Sequence, residues 1–239
     1  MTLTGKTAIV TGGSRGIGRG IVRRLTADGA RVVFTYRADH EAAAAVTAET
    51  GALAVRCDQA DPGTLPAVFD PVREDGLDIL VNSAAVADLR PISEITVAEF
   101  DRVIAINTRF PLLAIREAAP LMRDGGRIVN LSTLNTALSG PGMTLYCASK
   151  AALEQVTVVA AKEFGPRGIT VNTVSPGATD TDMLRSVNSE EGLAQTATLT
   201  SLGRLGRPED IAAVVAFLAG PDSGWITGQN IRATGGLMF

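Results

Sequence analysis

The chain has one histidine, His40, and two cysteines, Cys57 and Cys147, among 239 residues. A lone histidine leaves little from which to build a zinc site or a Ser-His-Asp triad, and two cysteines cannot form a disulfide framework. Much hydrolytic chemistry is thereby excluded. His40 follows an aspartate in a polar turn and reads as a surface residue, and the cysteines read as small packing residues. No run of about 18 apolar residues occurs, and the opening MTLTGKTAIVTGG lacks the charged, apolar and small-residue order of a secretion signal. A net charge of −3 gives no general attraction for nucleic acid or anionic membrane. A soluble cytoplasmic protein without nucleic-acid or membrane partners is expected.

What the chain does have is alternation. Apolar residues make up 46% of it, enough to fill a sizeable core, and its length suits one large α/β domain spanning 1–239. Short β-branched runs predict strands over 7–12, 31–36, 52–58, 77–84, 126–133, 170–177 and 230–234. Between them, longer patterns predict helices near 16–28, 39–49, 64–74, 97–122, 146–164 and 208–219. Strand runs that are apolar on both faces imply buried parallel strands, and right-handed crossovers place helices on both sides. The expected fold is α/β, a single doubly wound Rossmann-type domain with a parallel seven-stranded sheet flanked by helices. The polar stretch 178–207, rich in Thr, Ser and Gly and with weak helical pattern, is the candidate lid over a site.

Directly after the first strand comes TGGSRGIG, Thr11 to Gly18, leading into a helix. Gly12, Gly16 and Gly18 allow a tight turn, close approach to a pyrophosphate and close packing of helix on sheet, with Ser14, Arg15 and Ile17 completing the loop. The helix N-terminus then aims free N–H groups at the anion. At the end of the second strand, where an NAD site places an acidic residue, stand Tyr36 and Arg37. Arg37, helped by Arg15, can hold a 2′-phosphate with charge-assisted bonds, which predicts NADP(H). A turn shifted by two residues would instead make Asp39 a ribose acceptor.

Tyrosine and lysine are scarce, yet YCASK places Tyr146 and Lys150 one turn apart on one helix face. Shifting a tyrosine pKa from near 10 to near 7 requires about 4 kcal/mol. An ammonium about 4 Å away supplies about that at an effective dielectric of roughly 20, so Lys150 is expected to make Tyr146 a working proton donor or acceptor.

Together, the glycine loop, the Tyr-x-x-x-Lys and their spacing resemble the short-chain dehydrogenase/reductase family, from about Lys6 to the C-terminus. CDQAD, NSAA, Asn107, VNLST, SPGATDTDM and the closing GWITGQNIRATGG carry the same resemblance. It implies a ketoreductase of the 3-oxoacyl reductase branch, in which Tyr146 transfers the proton and Lys150 also holds the nicotinamide ribose. Asn107 would position a water linked to that lysine. The hydroxyl that polarises the carbonyl falls at Thr133, where the family has serine, with Ser132 beside it and expected on the opposite face if the strand persists. Asp58 would accept from the adenine amino group, Asn82 and Ala84 would line the adenosine wall, and Pro176, Gly177, Thr179 and Thr181 would pass the nicotinamide end. Ser83 and Ala85 depart from the family's usual Asn-Asn-Ala-Gly.

The expected substrate is a small-molecule carbonyl or its alcohol, an apolar ketone selected by 86–95, 134–145 and 178–203, with Leu89, Leu134, Leu138, Met143, Met183 and Leu184 suggesting an apolar pocket. A substrate bound to acyl carrier protein stays open, since Arg123, Arg127 and Arg167 are interrupted by Asp124. The resemblance also implies a homotetramer pairing the helices 97–122 and 146–164. Two alternatives remain: an NADP(H)-binding regulator without catalysis, and a redox-neutral dehydratase or epimerase on the same fold.

Overall fold

The computed structural model describes residues 3–237. Seven strands form one parallel sheet in the order β3-β2-β1-β4-β5-β6-β7. They are β1 (Thr7–Thr11), β2 (Arg31–Tyr36), β3 (Leu53–Arg56), β4 (Leu77–Asn82), β5 (Met122–Leu131), β6 (Thr170–Pro176) and β7 (Asn230–Ala233). The helices are α1 (Gly16–Ala27), α2 (His40–Thr50), α3 (Pro66–Phe69), α4 (Val97–Ile104), α5 (Phe110–Ala118), α6 (Thr144–Phe164), α7 (Asp182–Arg185), α8 (Glu190–Leu199) and α9 (Pro208–Ala219).

Strand alternation divides the apolar residues between two cores. In β1, Ala8 and Val10 pack with Ile21 and Leu25 of α1 and Val215 of α9, whereas Ile9 faces the opposite layer with Phe110 of α5 and Ala160 of α6. Each layer therefore covers one sheet face. The order reverses between β1 and β4, and the crevice outside the strands' carboxyl ends opens there, as expected for a doubly wound sheet.

Several elements differ from the sequence expectation, and β3 and β4 each end two residues early. The helix expected over 64–74 is broken into a 3₁₀ turn at Pro62–Thr64, α3 and a second turn at Asp70–Val72. Pro62, Pro66 and Pro71 each remove a backbone donor, which stops a continuous ladder. The helix expected over 97–122 is interrupted by a π-helical turn, Ala105–Arg109, and ends at Ala118. β5 begins at Met122 and ends at Leu131, two residues before the expected end. The stretch 178–207 holds two helices, α7 and α8, begun by Thr181 and Ser189 side chains that cap Leu184 and Gly192 N–H groups.

Candidate active site

The strand ends build one cleft of about 610 Å³. Its tightest part is the turn leaving β1. Gly12 has a φ of 70°, and a Cβ there would stand 2.7 Å from that of Ala84. A Cβ on Gly18 would lie 2.1 Å from the Gly12 carbonyl oxygen, so neither position admits a side chain. No side chain caps α1, which leaves its first N–H groups for an anion. Ser14, Arg15, Gly16 and Ile17 line the cleft with these glycines, and Thr181 faces them across it.

Tyr36 and Arg37 line the same cleft at the end of β2, Asp58 beyond β3, Ala84 after β4 and Pro176 at the end of β6. Arg37 is exposed and has no ion-pair partner among the described residues. Asp39 lies outside the cleft: its Oδ1 caps α2 by accepting from Ala42 N–H at 2.9 Å, and its other oxygen is 3.6 Å from Arg15. The acid that would favour NAD is thus engaged elsewhere. His40, read as a surface residue, is exposed and bonds the Tyr36 hydroxyl through Nδ1 at 3.1 Å.

Tyr146 and Lys150 close the other end. Tyr146 is half-buried, and the Thr133 hydroxyl acts on its phenol. Burial pushes that phenol above its ordinary value, and the Thr133 hydroxyl opposes the rise. The lowering expected from Lys150 does not outweigh burial: the lysine is itself fully buried, and Nζ donates to the Leu131 carbonyl at 2.7 Å. Burial lowers Lys150 to about 8, against the opposing charge of Glu154. A raised phenol is protonated at neutral pH, which suits a proton donor.

Five expected site residues lie off the cleft surface. Asn82 has the same strand parity as Leu80, so its side chain turns into the α5–α6 layer, where Nδ2 donates to Asn130 Oδ1 at 2.8 Å. The wall is built instead by Ser83, Ala84, Ala85, Val86 and Ala87. Asn107, in the π turn, accepts from Val86 N–H and donates to the Val86 carbonyl, both at 2.9 Å, and donates to Ser149 Oγ at 3.0 Å. It fixes the wall from behind. Gly177 packs on Thr234, and buried Thr179 donates to the Gly177 carbonyl at 3.0 Å. Thr133 sits off the cleft surface but against Tyr146. Ser132 and Thr133 were expected on opposite faces; because β5 ends at Leu131, both hydroxyls reach α6.

Of the six apolar candidates, Met183 lines the cleft, whereas Leu134 is core packing. Arg123, Arg127 and Arg167 lie at the amino ends of β5 and β6, opposite the cleft. Each is bound to neighbouring carbonyls, and Arg123 and Arg167 also to Asp78 and Asp124. They therefore form no docking surface at its mouth.

Comparison with known proteins accords with this geometry. The family model described as enoyl-(acyl carrier protein) reductase matches residues 12–238. A cyclic-di-GMP-binding biofilm dispersal mediator protein of Escherichia coli K12 is 44% identical over 229 residues, 94% of each chain. Among solved structures, a blue fluorescent protein from a metagenomic library, in complex with NADPH, is 40% identical over the whole of both chains with a TM-score of 0.94. The angucycline C-6 ketoreductase LanV with bound NADP is 38% identical, with 99% and 97% of the two chains covered and a TM-score of 0.94. The chain belongs to the short-chain dehydrogenase/reductase family. As a member it is an oxidoreductase that uses NADP(H).

The oxidoreductase's own residues fit that cofactor. The Gly12–Gly18 turn would hold the pyrophosphate, and Arg37, free of acid partners among the described residues, the 2′-phosphate. Gln59, which sequence reasoning missed, lines the cleft beside Asp58 and has a buried Oε1 without a partner, an acceptor suited to the adenine end. Its signal was its place in CDQAD. Arg102 was also missed; it lines the cleft and pairs with Asp88 at 2.6 Å, although its sequence context reads as a solvated helix face. Burial raises the thiols of Cys57 and Cys147, consistent with packing rather than nucleophilic roles. Among the described residues no cluster could hold a metal, and no helix is long and apolar enough to cross a membrane.

Proposed function

We propose that the chain reduces a small apolar ketone to a secondary alcohol, with Tyr146 as proton donor. The carrying observation is that Tyr146 and buried Lys150 leave one face of α6 and both line the end of the cleft, with the Thr133 hydroxyl acting on the phenol. When bound, NADPH supplies the hydride. Tyr146 gives its phenolic proton to the carbonyl oxygen, and Thr133 donates a hydrogen bond to the same oxygen as negative charge develops there. Lys150 keeps a positive charge near the nascent phenolate, and Asn107 holds the Val86 wall. The segment 178–207 acts as the substrate lid. Its base is closed by reciprocal backbone bonds, Asp180 N–H to the Gly206 carbonyl at 2.8 Å and Gly206 N–H to the Ala178 carbonyl at 2.9 Å.

Engagement of the three arginines away from the cleft favours a free substrate over a carrier-bound one. Exposed Val97, Phe100, Leu112 and Val159 on α4, α5 and α6 support a homotetramer pairing these helices. The test of the reaction is loss of NADPH absorbance against β-ketoesters, cyclic ketones, quinones and acyl-thioesters, with Tyr146→Phe as control. Turnover that vanishes in the control supports the reading, and turnover that persists in it removes Tyr146 as donor.

A second reading, a nucleotide-binding regulator acting without turnover, draws on the printed name of the Escherichia coli relative. Binding of NADPH and cyclic-di-GMP with no carbonyl reduced across the panel is the result that favours it.

A further inference from the structure

On α6, Tyr146, Lys150 and Glu154 recur every four residues, so all three leave one helix face. They meet successive groups of the chain leaving β5. Lys150 Nζ donates to the Leu131 carbonyl at 2.7 Å, Ser132 Oγ donates to Glu154 Oε1 at 2.5 Å, and the Thr133 hydroxyl acts on the Tyr146 phenol against the effect of burial. Thr136 donates to the same Glu154 oxygen at 2.8 Å. One carboxylate thereby holds both ends of the Ser132–Thr136 turn that carries Thr133.

We propose that Glu154 is a positioning residue: it holds the Ser132–Thr136 turn against α6 so that Thr133 faces Tyr146, and it is the counter-charge of buried Lys150. The assignment rests on the reductase reading for its purpose, not for its geometry. Glu154 does not line the cleft and acts through its neighbours. Tyr146 and Glu154 share the helix face of Lys150, and the uncharged Leu131 carbonyl at the end of β5 accepts its bond. Among the described residues Glu154 is the charge that acts on it, opposing the effect of burial.

The two roles separate by substitution. Glutamine keeps an acceptor oxygen for the turn but loses the charge; methionine loses both at similar length. The chain carries three lysines and two tyrosines, and Lys6 and Lys162 are exposed. Carbon-13 labelling therefore resolves Lys150 Cε and Tyr146 Cζ in the full chain without any substrate. In Glu154→Gln the Lys150 titration midpoint is expected to fall by about one unit, with the Tyr146 resonance at neutral pH unchanged. In Glu154→Met the midpoint falls and the Tyr146 resonance moves as well. An unmoved Lys150 midpoint in both variants, or an unmoved Tyr146 resonance in Glu154→Met, overturns the proposal. Should Glu154→Met not fold, the pair Ser132→Ala and Thr136→Val removes both donors and keeps the charge. It is expected to move Tyr146 and leave Lys150 in place, and the reverse pattern is disproof. If the unsubstituted chain reduces no carbonyl, the reductase reading falls, while these resonances still decide the role of Glu154.

Discussion

The two ends of the cleft hold their cations in opposite ways. Arg37, at the adenosine end, is exposed and without an acid partner among the described residues, so its charge costs little to keep and acts through solvent. Lys150, at the reaction end, is fully buried, lowered to about 8 and bonded to the Leu131 carbonyl. In the proposed reading, the Arg37 end recognises a charged group and the Lys150 end changes the protonation of one. Substitutions should therefore register as affinity at the first and as turnover and pH dependence at the second.

The comparison breaks most visibly at Lys150. Lys150→Met should lower turnover about 10³-fold, within the range for loss of acid–base machinery, yet leave the thermal midpoint undiminished. Relief of a charge depressed from 10.5 to about 8, about 3 kcal/mol, exceeds the about 1–2 kcal/mol for orphaning the Leu131 carbonyl. Calorimetry showing a fall of several degrees would mean that the lysine is a structural tie. Next in size, Thr133→Val should reduce kcat about 10²-fold with little change in NADPH affinity, as steady-state kinetics and fluorescence titration can check.

At the other end, Arg37→Asp should weaken NADPH binding about 10- to 100-fold and NADH binding far less, an effect that shrinks in high salt. Equal losses for both cofactors would remove the contrast. The smallest effect is in pH. Lys150 loses its charge as pH rises through about 8, so turnover should decline several-fold across that region while stability increases, because the unfolded chain binds the proton more tightly. A flat rate profile from neutrality to that pH would detach Lys150 from catalysis.

The adenosine end was the more legible in sequence, since its residues are neighbours in the chain: Gly12 to Gly18 form one turn, and Tyr36 and Arg37 end one strand. At the reaction end the residue types were readable but their partners were not. The direction of Lys150 depends on the Leu131 carbonyl, and that of Ser132 and Thr133 on where β5 stops. Asn82, expected on the adenosine wall, turns toward the α5–α6 layer with the parity it shares with Leu80. The breaks in the helix expected over 64–74 were visible as three prolines, whereas the π turn around Asn107 follows from tertiary bonds to Val86 and Ser149 that no local pattern announces. The central strands β1 and β4 were recognisable because burial on both faces makes each a largely apolar run, whereas the edge strands β3 and β7 are part-exposed and were readable by their β-branched residues and position.

The reciprocal bonds between 178–180 and Gly206 fix the separation of the two ends of that segment independently of what lies between them. With Thr181 kept for the cleft and 200–202 for the bonds that Leu202 and Ser201 make to Gly235 and Gly236, residues 182–199 can then be exchanged as a cassette: a segment of different length or sequence inherits a ready-made closure, and the sheet beneath need not be redesigned. Diversification of specificity on this scaffold therefore has a natural unit of exchange whose boundaries are set by backbone rather than by side chains.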